Sequence, residues 1–167
     1  MKKNCIILTI GILVLAFSAS FAQSKKKKTP PAPAPQNEIE SIKAAIDRES
    51  KAFFEIDYKT WTECWVHAPY AYWSFADTTD VNFFEGWESI DKHFADYFRT
   101  SKPSSAKMER NWLDVRVHGN AAYARFTQKI NDELERDEQA EVRVLERHNG
   151  EWKIVHVGVI AKQKAKD

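Results

Sequence analysis

The sequence predicts an α+β domain, with three N-terminal helices laid across a curved, mostly antiparallel sheet to make a cone with an open mouth. Three observations predict it. The last third of the chain alternates with period two over Met108–Val117, Ala121–Asn131, Ala140–Arg147 and Trp152–Ile160, the pattern of strands with two distinct faces. Turn signals separate these stretches: His118-Gly119-Asn120, the charged run Asp132–Asp137, and His148-Asn149-Gly150. Upstream, apolar residues recur at helical spacing and are rich in Trp and Phe, which supplies the cover that a bent sheet needs.

From the N-terminus, Met1-Lys2-Lys3 is a short basic region, Ile6–Phe17 an apolar one, and Ser20-Phe21-Ala22 puts small residues before a cut at Gln23. Residues 1–22 therefore read as a signal peptide. A retained anchor is the alternative, but the apolar run is short for a span of about 20 residues. Cleavage would leave no stable membrane span and an exported protein, periplasmic or extracellular. Residues 23–36 hold Lys25–Lys28 and a run of alternating prolines. They read as an extended basic spacer that buries nothing. The domain proper is expected over residues 37–162, with 163–167 as a tail. Asn37 to Ile160 holds 16 basic and 23 acidic side chains, a net of −7. An acidic body without a basic stripe argues against a nucleic-acid partner. After cleavage Cys64 is the one cysteine left. It can form neither an internal disulfide nor a metal site alone, and reads as a buried thiol.

Within the domain, Asn37 with Glu40 resembles an N-cap and its reciprocal acid. Ile39, Ile42, Ile46, Phe53 and Ile56 then mark the first helix. Asp57 is placed to cap a shorter second helix carrying Trp61 and Trp65. Val66–Ala76 reads as a strand, with Tyr70 and Tyr72 on one face and His67, Trp73 and Phe75 on the other. Asp77–Asp80 reads as a loop. Glu85-Gly86-Trp87 opens the third helix, whose inner face is Ile90, Phe94, Tyr97 and Phe98. Thr100–Ser105, with Pro103, ends it.

Several side chains are candidates for a ligand pocket. Arg143 alternates with Glu141 and Leu145, and Arg125 shares its face with Tyr123 and Thr127. An Arg inside a low-dielectric cone must be paired or left to meet an anion, and its fork suits a carboxylate. The alternative is an ion pair with Glu141, Glu146 or Glu49. His156 shares a strand face with Trp152 and Ile154, on simple alternation, and His67 begins the first strand. Each is either a polar contact to a ligand or a hydrogen-bonded structural histidine. Tyr72, Trp73, Trp87 and Trp112 are candidates for the pocket wall or for plain packing. No metal-ligand spacing, phosphate loop or nucleophile elbow is present, so neither metal nor cofactor is expected. Val155, Val157 and Val159 give the last strand a second apolar face, which another surface should cover, since a one-sided sheet would leave that face polar.

Phe84-Glu85-Gly86-Trp87, Val117-His118-Gly119-Asn120-Ala121-Ala122-Tyr123 and Asn149-Gly150-Glu151-Trp152-Lys153-Ile154-Val155-His156, in this order of elements, resemble the nuclear transport factor 2-like superfamily. The nearer likeness is to its polyketide-cyclase-like, or SnoaL-like, branch and to the association domain of calcium/calmodulin-dependent protein kinase II, through Arg125-Phe126-Thr127-Gln128 and Val142-Arg143-Val144. The resemblance implies the cone fold and a homodimer, and places Arg125 and Arg143 in an internal pocket. Steroid-isomerase-type chemistry would need a carboxylate base on Val66–Ala76, an acid near Val142 and a tyrosine near Glu49; all three are absent. Gly158 stands where the family often has a second histidine. The superfamily hosts unrelated functions, so fold does not decide function. The leading expectation is an exported domain binding a small molecule, part apolar and part carboxylate or other anion. The alternatives are an enzyme of lyase, isomerase or hydrolase type using His156 or His67 as acid/base, and a ligand-free oligomerisation module of the envelope.

Overall fold

The computed structural model describes residues 35–104, 107–131 and 138–161. The expected signal peptide, nearly all of the spacer, the charged turn and the tail lie outside the described residues. Along the chain come α1 (Gln36–Phe54), α2 (Tyr58–Glu63), β1 (Tyr72–Ala76), β2 (Val81–Glu85), α3 (Trp87–Thr100), β3 (Lys107–His118), β4 (Ala121–Asn131), β5 (Gln139–His148) and β6 (Glu151–Ile160). The six strands form one curved sheet in the order β2-β1-β6-β5-β4-β3. Only β1 and β6 run parallel. The core lies between the helices and the inner face, where Ile42 and Ile46 of α1, Trp61 of α2 and Ile90 of α3 meet Phe126, Leu145 and Ile154.

Asp57 caps α2 as expected, its carboxylate accepting from the Thr60 amide at 3.0 Å. Asn37 does not cap α1. The helix starts one residue earlier, behind Pro35, with no side-chain cap. The long first strand is also shorter than expected. Val66–Ala71 is irregular because its polar backbone turns toward other elements: Gly86 N donates to Ala71 O at 2.8 Å and Trp87 N to Ala68 O at 3.0 Å. Pro69 has no amide to offer a ladder. Gly86 enters α3 at φ +80°, and a Cβ there would stand 3.4 Å from Pro69 O, so glycine suits the junction.

Two features were not anticipated. Val81–Glu85 is a strand, paired antiparallel to β1, with Phe84 stacked on His93 inside and Val81 and Phe83 exposed outside. The register also slips twice. In β3 it shifts between Trp112 and Asp114. In β6 Leu145 faces Ile154 while Val144 faces His156, which leaves Val155 as an extra residue. A bulge of this kind moves every later side chain to the other face.

Candidate functional site

A cavity of about 200 Å³ opens between α1 and the inner face of the sheet. Its wall is apolar: Phe53 and Phe54 from the end of α1, Trp73 and Phe75 from β1, and Val157 and Val159 from β6. Its floor is polar, with Glu49, Gln128, Gln139, Glu141 and Arg143. The alternation of β5 builds that floor, because Glu141, Arg143 and Leu145 are all buried while Val142 is exposed.

The floor is a network of balanced charge. Arg143 Nη2 lies 2.6 Å from Glu141 Oε2 and 3.9 Å from Glu49 Oε2. The shorter contact is off the direction of a hydrogen bond, so it supplies charge attraction without satisfying the acceptor. Glu141 Oε1 accepts from Gln128 Nε2 at 3.1 Å and Gln139 Nε2 at 2.8 Å. Glu49 Oε1 accepts from the Trp61 indole at 3.0 Å. Arg110 donates to Gln128 Oε1 at 2.6 Å and pairs with Asp47. Burial pulls the Arg110 guanidinium below its ordinary value, and Asp47 opposes that. Two donors stay unmatched: Arg143 Nε and Nη1 are buried with no hydrogen-bond partner, on a residue only 5% exposed.

Of the eight residues singled out from the sequence, the cavity holds Arg143 and Trp73. Arg125 does not face inward. Ala122, Ala124 and Phe126 take the inner face of β4, so Arg125 projects outside, half exposed, and reaches Asp114 at 3.5 Å. His156 is also outside, because the extra Val155 reverses the faces of β6 beyond Ile154. The same slip turns Val157 and Val159 inward, so they are not the outer apolar face expected of them. Tyr72 joins His156 outside, their rings edge-on with centroids 5.1 Å apart. His67 is at the surface, with Nε2 2.9 Å from Thr62 O, and stacks on Trp87 at 4.1 Å. Trp112 does face inward, but packs on Phe126 at 4.9 Å and beneath Lys43 rather than lining the cavity. An acid/base role for His156 or His67 therefore has no footing in the mouth of the cone.

Sequence reasoning missed Gln128, Gln139, Phe54 and Phe75, and treated Glu141 and Glu49 only as possible ion-pair partners. The signal for Gln128 was present: it continues the inward alternation of Ala124 and Phe126 and is 2% exposed.

A groove of about 590 Å³ crosses the outer face, with His156, Tyr72, Ser74, Val142, Leu113 and Ile160 in its lining. The His156 ring lies along the strand over Gly158, where a Cβ would stand 3.2 Å from its Nε2. That nitrogen is buried and has no hydrogen-bond partner. Burial, and then the Arg143 charge, hold this imidazole below its ordinary value. Cys64, 4% exposed, is a buried free thiol whose pKa burial pushes up to about 11. Among the described residues no three His, Cys, Asp or Glu side chains converge as metal ligands.

The sequence profile of the SnoaL-like domain matches residues 42–159, and a comparison with curated proteins finds no match. Solved structures share the fold. A Thiobacillus denitrificans protein assigned to the association domain of calcium/calmodulin-dependent protein kinase type II is 12% identical, with TM-score 0.59, over 81% of this chain and 100% of its own. An NTF2-like protein of unknown function from Shewanella baltica is 16% identical, with TM-score 0.56, over 77% and 96% of the two chains. A Nostoc punctiforme protein of unknown function with a cystatin-like fold is 9% identical, with TM-score 0.61, over 80% and 97%.

Proposed function

This chain belongs to the SnoaL-like domain family, and from its cavity we propose that it binds a small, largely apolar molecule carrying one hydrogen-bond acceptor. The observation behind the reading is Arg143, whose Nε and Nη1 are buried beside the cavity without partners. A buried donor that lacks an acceptor is destabilising until one arrives. Glu141 and Glu49 already balance the guanidinium, so a neutral carbonyl or hydroxyl oxygen fits better than the carboxylate expected from the sequence. A cavity near 150 Å³ takes a benzene-sized guest, so about 200 Å³ suits a compound of one ring with a short substituent.

The test is a thermal-shift and tryptophan-fluorescence titration with cyclohexanone, benzamide and benzoate. The neutral probes should raise Tm and perturb Trp73, and benzoate should do less. Val159→Phe, which fills the cavity, should remove the response. A stronger response to benzoate, or none to either neutral probe at millimolar concentration, would sink the reading.

The finer setting is a homodimer exported from the cytoplasm. The leader pattern of residues 1–22 supports export, and N-terminal sequencing of the mature protein should begin at Gln23. The outer sheet face supports the dimer, through exposed Val81, Phe83, Leu113, Val142 and Ile160.

A further inference from the structure

We propose that the polar end of the ligand is a hydroxyl group, whose one oxygen accepts from Arg143 and donates to Glu141. The inference rests on the cavity reading above and narrows it from any neutral acceptor to an alcohol.

The floor of the cavity lacks two kinds of partner. Arg143 Nε and Nη1 are donors with no acceptor, and Glu141 Oε2 is an acceptor with no donor. Both side chains line the cavity. Their neighbours are already engaged elsewhere. Gln128 and Gln139 donate to the other Glu141 oxygen, Oε1. Gln128 Oε1 accepts from Arg110, and Glu49 Oε1 from the Trp61 indole. A ligand that brought only an acceptor would answer Arg143 and leave Glu141 Oε2 buried and unsatisfied, which carries its own cost.

The unmatched atoms are close enough for one oxygen to serve both. Arg143 Nη2 lies 2.6 Å from Glu141 Oε2. The guanidinium is rigid and planar, with its nitrogens roughly 2.3 Å apart, so Nε and Nη1 each stand within about 5 Å of that oxygen. A hydroxyl oxygen about 2.9 Å from an N–H and about 2.7 Å from a carboxylate oxygen spans such a gap.

Electrostatics selects the group that fills the gap. A hydroxyl turns a lone pair toward the cation and its hydrogen toward the anion, so both bonds are charge-assisted. A ketone or ether oxygen in the same place makes the first bond but sets a lone pair against Glu141 Oε2, a repulsion that burial strengthens. A carboxylate brings a full negative charge to that spot. An amine would answer Glu141 and leave Arg143 unmatched. A primary carboxamide answers both but adds a second N–H, for which the floor holds no further unmatched acceptor among the described residues.

The test compares cyclohexanol with cyclohexanone, two rings of nearly equal volume, by competition with a fluorescent probe on the purified chain. Wild type should bind the alcohol about tenfold more tightly than the ketone. Glu141→Gln keeps an amide oxygen for Gln128 and Gln139 and puts an N–H where Oε2 stood. It should weaken cyclohexanol by about tenfold, leave cyclohexanone no weaker, and so erase the preference. Far-UV circular dichroism checks that the variant is folded, and the wild-type comparison stands without it. Ketone bound as tightly as alcohol by wild type would overturn the hydroxyl and leave the neutral-acceptor reading standing. Binding of neither compound at millimolar concentration would overturn both. A preference for cyclohexanol that survives Glu141→Gln would overturn Glu141 as the group that accepts its proton.

Discussion

Removing the Arg143 guanidinium while keeping its volume, as in Arg143→Met, strips the charge from a site where both neighbouring acids are sealed off. The side chains of Arg143, Glu141 and Glu49 are 6%, 1% and 6% exposed. Water therefore cannot take over the role of the lost partner. Breaking a buried pair from one side costs about 3–5 kcal/mol, and here two carboxylates are left facing each other across the floor. For a domain of this size that corresponds to a fall in Tm of roughly 10–20 °C. Urea unfolding followed by tryptophan fluorescence measures the free energy, and a thermal scan measures the shift. Arg143→Met with Glu141→Gln should recover most of the loss, because Gln128 and Gln139 still have an amide oxygen to donate to. A single variant costing less than about 1 kcal/mol, the range of an exposed pair, would refute the view that this guanidinium holds the floor together.

Three smaller perturbations probe the surroundings. Gly158→Ala brings a methyl group to 3.2 Å from His156 Nε2; it should cost about 1 kcal/mol, and become nearly neutral in a His156→Ala background, by a double-mutant cycle in urea. The depressed pKa of His156 means that the unfolded chain takes the proton first. Its contribution is therefore complete above the ordinary imidazole value and is lost as the pH falls through the lower folded value. Urea midpoints compared between wild type and His156→Gln should diverge in that acid window and run parallel above it. Cys64, buried and with a pKa of about 11, should react with a thiol reagent at pH 8 only as fast as the domain opens. Labelling at the rate of an exposed peptide thiol would contradict its burial.

Period-two alternation located all four C-terminal strands to within a residue at each end, because each pairs an apolar side with a mixed one. Helix α3 was legible for the same reason, since Ile90, Phe94 and Phe98 are one stripe. What alternation cannot report is an inserted residue. Trp152 and Ile154 form one apolar series and Val155, Val157 and Val159 another, so β6 satisfies either parity. The bulge that decides between them is set by pairing with β5, not by β6 alone. His156 was placed on the wrong face for that reason. Arg125 was misplaced for a different one: the family resemblance put it in the pocket, and the small inward residues Ala122 and Ala124 carry too little apolar weight in the sequence to contradict that. Strand β2 escaped because five residues between an Asp-rich turn and a helix start are too few for periodicity to register. Arg143 was legible because it alternates with Glu141 and Leu145 and so lies off the Val142 and Val144 face.

The two unmatched N–H groups of Arg143 also decide where binding energy should concentrate. Each costs about 1–3 kcal/mol when buried without an acceptor, in a domain whose whole stability is about 5–15 kcal/mol. The apolar wall adds affinity in proportion to area, with little regard to which atom sits where. A ligand oxygen that meets Nε or Nη1 contributes differently, because it removes a cost the empty protein already carries. Cyclohexanone and cyclohexane are close in volume and differ in that oxygen. Their Kd values, from competition with a fluorescent probe, should therefore differ by about tenfold or more. The difference should vanish in the Arg143→Met, Glu141→Gln pair, which keeps the wall and removes the donors. Equal binding of the two compounds to wild type would make the cavity an apolar slot that reads shape alone.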